Sequence, residues 1–394
     1  MRRPDSRRSV LVPLTSVVLA LCFACSKHRA EPLSLEIGGE MAGREGFANA
    51  LFQSVDADFS PGTVKRIDNG AVFDALVEDL NRATSSINIS MYIWETGEAS
   101  RRVTEAIVTR AKAGVACRLS IDALGSSKFQ EQVTPTLVAA GCEVRMFRPI
   151  AVDSMTTRNH RKLVIIDGAV AFTGGFGVRD DWMGDGVTGW RDTSVRFTGP
   201  AVRAAQQAFA ESWQESGGTL LPATEFPRAA ADGTVRLALV TSTASPYLTR
   251  AERLVQLLIA ASHKRLWITV AYFAPSKGIR AMLASKAKSG VDVRMIVPNE
   301  HDDSKVALKA QRLLYDELAA AGVKVWEYQP SMIHAKTMVV DDRLSTVGSI
   351  NLDPLSLNRL DEDALVIDDP TFTEELAAAF LADSVEARQV VPKP

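Results

Sequence analysis

The chain has 394 residues, enough for two domains of ordinary size or one large duplicated one. Its 46% hydrophobic and 23% charged residues are ordinary for a globular protein, which excludes a collagen-like or wholly disordered chain. The formal net charge of −2 counts against a nucleic-acid binder, which would carry a basic balance or a basic stripe.

The first segment reads as an export signal over residues 1–25. Arg2, Arg3, Arg7 and Arg8 form a positive start, and Val10 to Ala24 is almost entirely apolar but short for a membrane span. Cys25 follows a small residue and resembles the lipid-modified cysteine of bacterial lipoproteins, although Cys22 and Phe23 depart from that pattern. The sequence therefore predicts an exported protein on the periplasmic face of a bacterial membrane, soluble or tethered at its N-terminus. Residues 26–50 are polar and mixed, as in a linker.

From Gly70 onward the chain repeats itself. Ser86–Trp94 and Arg265–Pro275 are matching apolar, β-prone runs, with Tyr92 and Tyr272 at the same place in each. Helical stretches follow at 102–113 and 279–288, ending at Gly114 and Gly290. Strands are predicted at 115–121 and 291–297, then at 143–147 and 324–328. Cys117 and Cys142 fall on predicted strands and read first as small buried apolar residues, with a disulfide as the alternative. This alternation predicts two similar α/β domains, mixed sheets flanked by helices, packed about a pseudo-twofold axis. The expected boundaries are 51–225 and 226–394, with the break in the Pro- and Ala-rich stretch 222–232.

Each half then reaches the pattern His-x-Lys-x-x-x-x-Asp: His160, Lys162 and Asp167, then His334, Lys336 and Asp341. The chain holds five histidines, so placing two in this spacing and in repeat register argues for one site built from two halves. Both patterns open β-prone runs, where side chains two apart share a face, so each histidine projects beside its lysine. Such pairs suit a phosphodiester. The lysines hold the non-bridging oxygens, one histidine attacks phosphorus, and the other passes protons. Cationic side chains supply the electrophilic assistance, so no metal or other cofactor is called for. Asp167 and Asp341 complete the cassettes but sit off the shared face, in supporting rather than reacting positions.

Further residues repeat downstream. Ser349 and Asn351 can donate to phosphate oxygens or orient other groups. Asp192 and Glu362 can each orient one imidazole through its second nitrogen; which serves which is open. Trp182-Met183 reads either as a headgroup contact or as a buried ring beneath its loop.

Over roughly residues 60–390 these segments resemble the phospholipase D superfamily, and within it the bacterial cardiolipin synthases. The segments are Ser90-Met-Tyr92-Ile-Trp94, Ile121-Asp-Ala-Leu-Gly-Ser126, the two cassettes, Phe172-Thr-Gly-Gly175, Trp190-Arg-Asp192, Ala271-Tyr-Phe273, Tyr328-Gln-Pro330 and Asn351-Leu-Asp-Pro354. The resemblance implies a phosphatidyltransferase that moves a phosphatidyl group between phosphatidylglycerol molecules through a phosphohistidine. It assigns His160 as nucleophile and His334 as general acid. The implied partners are a phospholipid substrate and a membrane surface, with nucleic acid disfavoured and no oligomer required. The family usually has Asn where this chain has Gly177. A hydrolytic phospholipase D and a metal-independent nuclease use the same site chemistry and stay open as alternatives.

Overall fold

The computed structural model describes residues 43–150, 155–227 and 232–391. The signal segment, Cys25 and part of the 222–232 stretch lie outside the described residues. The first sheet contains β2 (Val64–Asp68), β3 (Ser86–Met91), β4 (Ala116–Asp122), β5 (Glu143–Phe147), β7 (Leu163–Ile166), β8 (Val170–Gly174) and β9 (Thr193–Thr198). The second contains β1 (Ser60–Gly62), β6 (Arg158–Asn159), β10 (Val235–Ser242), β11 (Arg265–Thr269), β12 (Asp292–Pro298), β13 (Lys324–Tyr328), β14 (Thr337–Val340), β15 (Leu344–Gly348), β16 (Leu360–Asp368) and β17 (Ala387–Gln389).

The strand orders show the duplication directly. The first sheet runs β2-β9-β8-β7-β3-β4-β5, and the second contains the same path as β10-β16-β15-β14-β11-β12-β13. Along these paths parallel pairing is confined to β3–β4–β5 and to β11–β12–β13, and the other neighbours are antiparallel; off the path β6 pairs parallel with β16. The fold is thus two similar mixed α/β units. It has less parallel pairing than the strand–helix alternation suggests, because β7–β8–β9 is an antiparallel meander that needs no crossover helix.

Sequence chemistry sets the helices. Thr249 caps Arg250–Ala261 by accepting from the Glu252 N–H, and Ser276 caps Lys277–Lys288 through the Ile279 N–H. The helix Glu98–Lys112 buries Ala99, Val103, Ala106 and Ile107, a 3–4 repeat that faces the first sheet, and leaves its charges outward. A third core joins the halves. In it the helices Ala201–Glu215 and Pro370–Val385 pack between the sheets, bringing Phe209, Trp213, Phe372 and Phe380 together with Leu237 and Trp267.

Three features depart from the sequence reading. The stretch read as a linker ends in the helix Arg44–Val55, whose Phe47, Ala50, Leu51 and Val55 are buried in the core of the second sheet. β1 likewise pairs with β10, so this N-terminal segment packs on the second half rather than the first. Cys117 and Cys142 are joined in a disulfide, not left as free buried thiols. Cys117 lies on β4 and Cys142 just before β5, adjacent parallel strands, which brings their backbones within bridging range.

Candidate active site

His160 and Lys162 lie just before β7, and His334 and Lys336 just before β14, in irregular extended segments. The four side chains are buried, and His160, Lys162 and His334 line one cavity of about 120 Å³. Tyr92, Tyr272, Phe176, Gly177, Trp182, Asp303, Ser304, Asn351 and Asp353 complete its walls. Each lysine folds back on its motif: Lys162 Nζ donates to the His160 carbonyl at 2.5 Å, and Lys336 Nζ to the His334 carbonyl at 2.5 Å.

The halves are interlocked by their backbones. His160 N donates to the Asp361 carbonyl at 2.9 Å, and His334 N to the Arg191 carbonyl at 2.7 Å. Each acceptor immediately precedes a carboxylate of the opposite half, so each histidine receives the other half's acid. His160 Nδ1 lies 3.0 Å from both oxygens of Glu362. His334 Nδ1 lies 3.5 Å from Asp192. Two equivalent parallel bridges, Trp94 with Val178 and Phe273 with Leu352, brace the two sides.

Glu362 is fully buried and accepts from the hydroxyls of Ser349 and Ser356. Asp192 is held by the Thr193 N–H at 2.7 Å and by the Trp182 indole N–H at 2.7 Å. Ser349 is therefore committed to Glu362 and does not line the cavity; of the two downstream donors, Asn351 does, with its side-chain oxygen unpartnered.

Asp167 and Asp341 are not in the site. Both take positive φ, 56° and 50°, in the turn after the motif strand. Asp167 accepts from the backbone N–H groups of Thr84, Ser85 and Ser86, and Asp341 from those of His263, Lys264 and Arg265. Each fastens its motif strand to the start of the neighbouring strand.

Burial governs the electrostatics. Burial first, then the two lysines, push both imidazoles well below the ordinary histidine range, with His160 adding to the effect on His334. Burial also lowers Lys162 to about 8 and Lys336 to about 7. It raises Glu362 to about 7 and raises Asp192. Both imidazoles are thus neutral near pH 7. With its Nδ1–H donated to Glu362, His160 keeps the Nε2 lone pair free, the tautomer that a nucleophile needs.

Two aromatic pairs were legible only as repeats in the sequence. Tyr92 meets His160 edge-on with centroids 5.0 Å apart, and Lys162 Nζ stands 5.3 Å from its ring centre. Tyr272 meets His334 at 6.1 Å and donates its hydroxyl to Asp303 at 2.6 Å. Their shared position in the two β-prone runs was the available signal. Ser356 and Asp303 carried none, because neither has a motif partner in the other half. Trp182 is 1% exposed, which removes the headgroup-contact reading in favour of the buried ring.

The model of the cardiolipin synthase, PLD-like domain family matches residues 76–210 and 254–384, one match per half. A cardiolipin synthase of Geobacillus sp. (strain WCH70) is 32% identical over 327 residues, covering 81% of this chain and 65% of the relative. One from Halalkalibacterium halodurans is 34% identical over 314 residues, covering 76% and 61%. The chain thus spans a little under two thirds of the length of these two relatives. Among solved structures, phosphatidylserine synthase from Haemophilus influenzae Rd KW20 aligns with a TM-score of 0.67 at 14% identity, covering 87% of this chain and 91% of that one, a likeness of fold. Matched in both halves by one domain family, with two His-Lys pairs at the junction, the chain belongs to the cardiolipin synthase, PLD-like domain family of the phospholipase D superfamily.

Proposed function

We propose that this protein is a phosphatidyltransferase that converts two phosphatidylglycerol molecules into cardiolipin and glycerol. The convergence of His160, Lys162 and His334 on one cavity, with Lys336 Nζ against the His334 ring and each histidine near a carboxylate of the opposite half, carries this reading. The names of the sequence relatives supply the lipid class.

The phosphodiester anion sits between Lys162 and Lys336, which stabilise the charge that builds on the non-bridging oxygens. His160 Nε2 attacks phosphorus, and the bond to the glycerol oxygen breaks. That oxygen leaves with the proton of His334, giving glycerol and a phosphatidyl group on His160. A second phosphatidylglycerol hydroxyl then gives its proton to His334 and attacks phosphorus, and the phosphorus–nitrogen bond breaks. Bound phosphate also resolves the resting state of the acid. An anion between the lysines offsets the positive field that holds His334 neutral, so His334 takes up its proton as substrate binds.

We also propose that the protein works outside the cytoplasm, on the periplasmic face of a membrane, with Cys25 as a candidate lipid anchor. The Cys117–Cys142 disulfide supports an oxidising compartment. Among the described residues no helix is long and apolar enough to cross a membrane.

The test is product analysis. Purified protein is incubated with phosphatidylglycerol vesicles, and the lipids are followed by mass spectrometry beside the His160→Ala variant. Cardiolipin and glycerol from the wild type alone are expected. Phosphatidic acid without cardiolipin would make the protein a hydrolase and overturn the transferase reading.

A further inference from the structure

The two halves match strand for strand, yet they differ at two corresponding positions beside the site. Ser349 and Asn351 of the second half correspond to Gly175 and Gly177 of the first. In the second half the Ser349 hydroxyl donates to Glu362, and Asn351 faces the cavity. The first half has neither side chain; Gly175 has no room for a Cβ, and Gly177 only a tight fit. A Cβ on Gly175 would lie 2.4 Å from Asp192 Oδ1, and one on Gly177 would lie 3.1 Å from Trp182 Cζ3 and 3.2 Å from Cη2.

One residue occupies both vacated roles. Trp182 Nε1 donates to Asp192 Oδ2 at 2.7 Å, as Ser349 donates to Glu362, and its ring lies against Gly177 and lines the cavity. The indole also meets the His334 ring edge to face, centroids 5.1 Å apart at 86°. Trp190 packs on His334 at 5.1 Å and on Trp182 at 4.4 Å. The Arg179 guanidinium covers both indoles, at 5.1 Å and 4.8 Å. The backbone fixes this assembly. Asp180, two residues before Trp182, accepts from the N–H groups of Glu98 and Ala99 at the start of the helix Glu98–Lys112.

We infer that Trp182, admitted by Gly177, is a positioning residue for the acid–base group: it holds the Asp192 carboxylate against His334 and walls the imidazole with an aromatic face. This rests on the role proposed above for His334. A buried carboxylate that keeps the Thr193 N–H but loses the indole N–H takes up a proton more readily, because its charged form has lost a donor. Asp192 without Trp182 would then stop opposing the positive groups facing His334. Those groups are Lys336, Lys162 and, when protonated, His160; the Gly175 carbonyl, which favours the imidazolium, stays.

The test is histidine titration by NMR on the full chain with labelled histidines, the His334 resonance being assigned with His334→Asn. It needs no substrate. Trp182→Phe keeps the ring and deletes the N–H; Gly177→Ala keeps the N–H and crowds the indole. The His334 midpoint is expected to fall by about half a pH unit or more in Trp182→Phe, and to fall in Gly177→Ala, with His160 moving less. In lipid turnover, kcat of Trp182→Phe should drop on the order of tenfold, with KM within about twofold. Identical His334 titration in all three folded proteins would overturn the inference, whatever the wild type does to lipids. A shifted His334 in a protein that never makes cardiolipin would sustain it and sink the transferase reading instead.

Discussion

His160 Nδ1 stands 3.0 Å from both carboxylate oxygens of Glu362, a residue of the opposite half of the chain. The nucleophile proposed above therefore depends on the docking of the two halves, and its tautomer is set from across the junction. Glu362→Gln preserves shape but removes charge, and its amide can donate to Nδ1, which would move the ring proton onto Nε2. Turnover is expected to fall about 100-fold or more, with little change in KM. A diester with a p-nitrophenolate leaving group separates the two carboxylates. Such a group departs without a proton, so Asp192→Asn should retain a near-normal burst while Glu362→Gln should not. Equal loss of the burst in both variants would remove the division of roles between His160 and His334.

The pH dependence follows from the buried cations. Lys336 and Lys162 must be protonated to hold phosphate, and their lowered values of about 7 and about 8 place the loss of that charge near neutrality. Activity should fall as pH rises through that range. On the acid side His160 must be neutral, and burial and the lysines push it well below 6.5, so the acid limb should lie below that value. A profile of kcat/KM against pH checks both limbs. Activity undiminished to pH 9.5, with chemistry limiting, would show that the lysine charges are not what holds the substrate.

Asp167 tests the separation of fold from chemistry. Its carboxylate gathers three consecutive backbone N–H groups and the hydroxyls of Thr84 and Ser85. Asp167→Ala should lower unfolding stability by about 1–3 kcal/mol in urea titration while the folded fraction keeps its kcat. These hydrogen bonds hold the acid below the ordinary aspartate range although burial opposes them. A depressed folded value means that the stabilisation is present above the unfolded value of 3.8 and is lost as pH falls through the folded one. The gap between wild type and variant should therefore close in strong acid. A large loss of kcat with unchanged stability would return Asp167 to the reacting groups.

The catalytic pairs were legible because the His-x-Lys spacing recurs in register, and a repeat is visible in one chain without comparison. The duplicated succession of strands and helices follows from the same repeat, whereas the order of the strands within each sheet does not. The pairing of His160 with Glu362 and of His334 with Asp192 was not legible, since it arises from main-chain contacts at Asp361 and Arg191 that no side-chain pattern records. Which of its two roles Ser349 takes is open in the sequence for a related reason. A hydroxyl near a phosphate site can face the ligand or the carboxylate behind it, and only packing decides. Trp182 was ambiguous because a lone tryptophan in a loop suits both a membrane surface and a core. The helix Arg44–Val55 was hidden by polar composition: Arg44, Glu45 and Gln53 mask the spacing of Phe47, Ala50, Leu51 and Val55.

That helix carries the last expectation. Leu51 is fully buried and packs with residues of the helix Arg250–Ala261 in the core of the second sheet, far along the chain from its own neighbours. If the segment were a spacer, Leu51→Ala would cost almost nothing. As a core residue it should cost about 2–5 kcal/mol, the transfer term for the lost side chain plus the cavity left behind. Phe52, on the opposite side and 49% exposed, supplies the control: Phe52→Ala should change stability far less. Urea unfolding of both variants reads the difference. Equal, small effects would detach the N-terminal helix from the second half, whereas a large loss at Leu51 alone makes the segment before the repeat part of the fold that holds His334 in place.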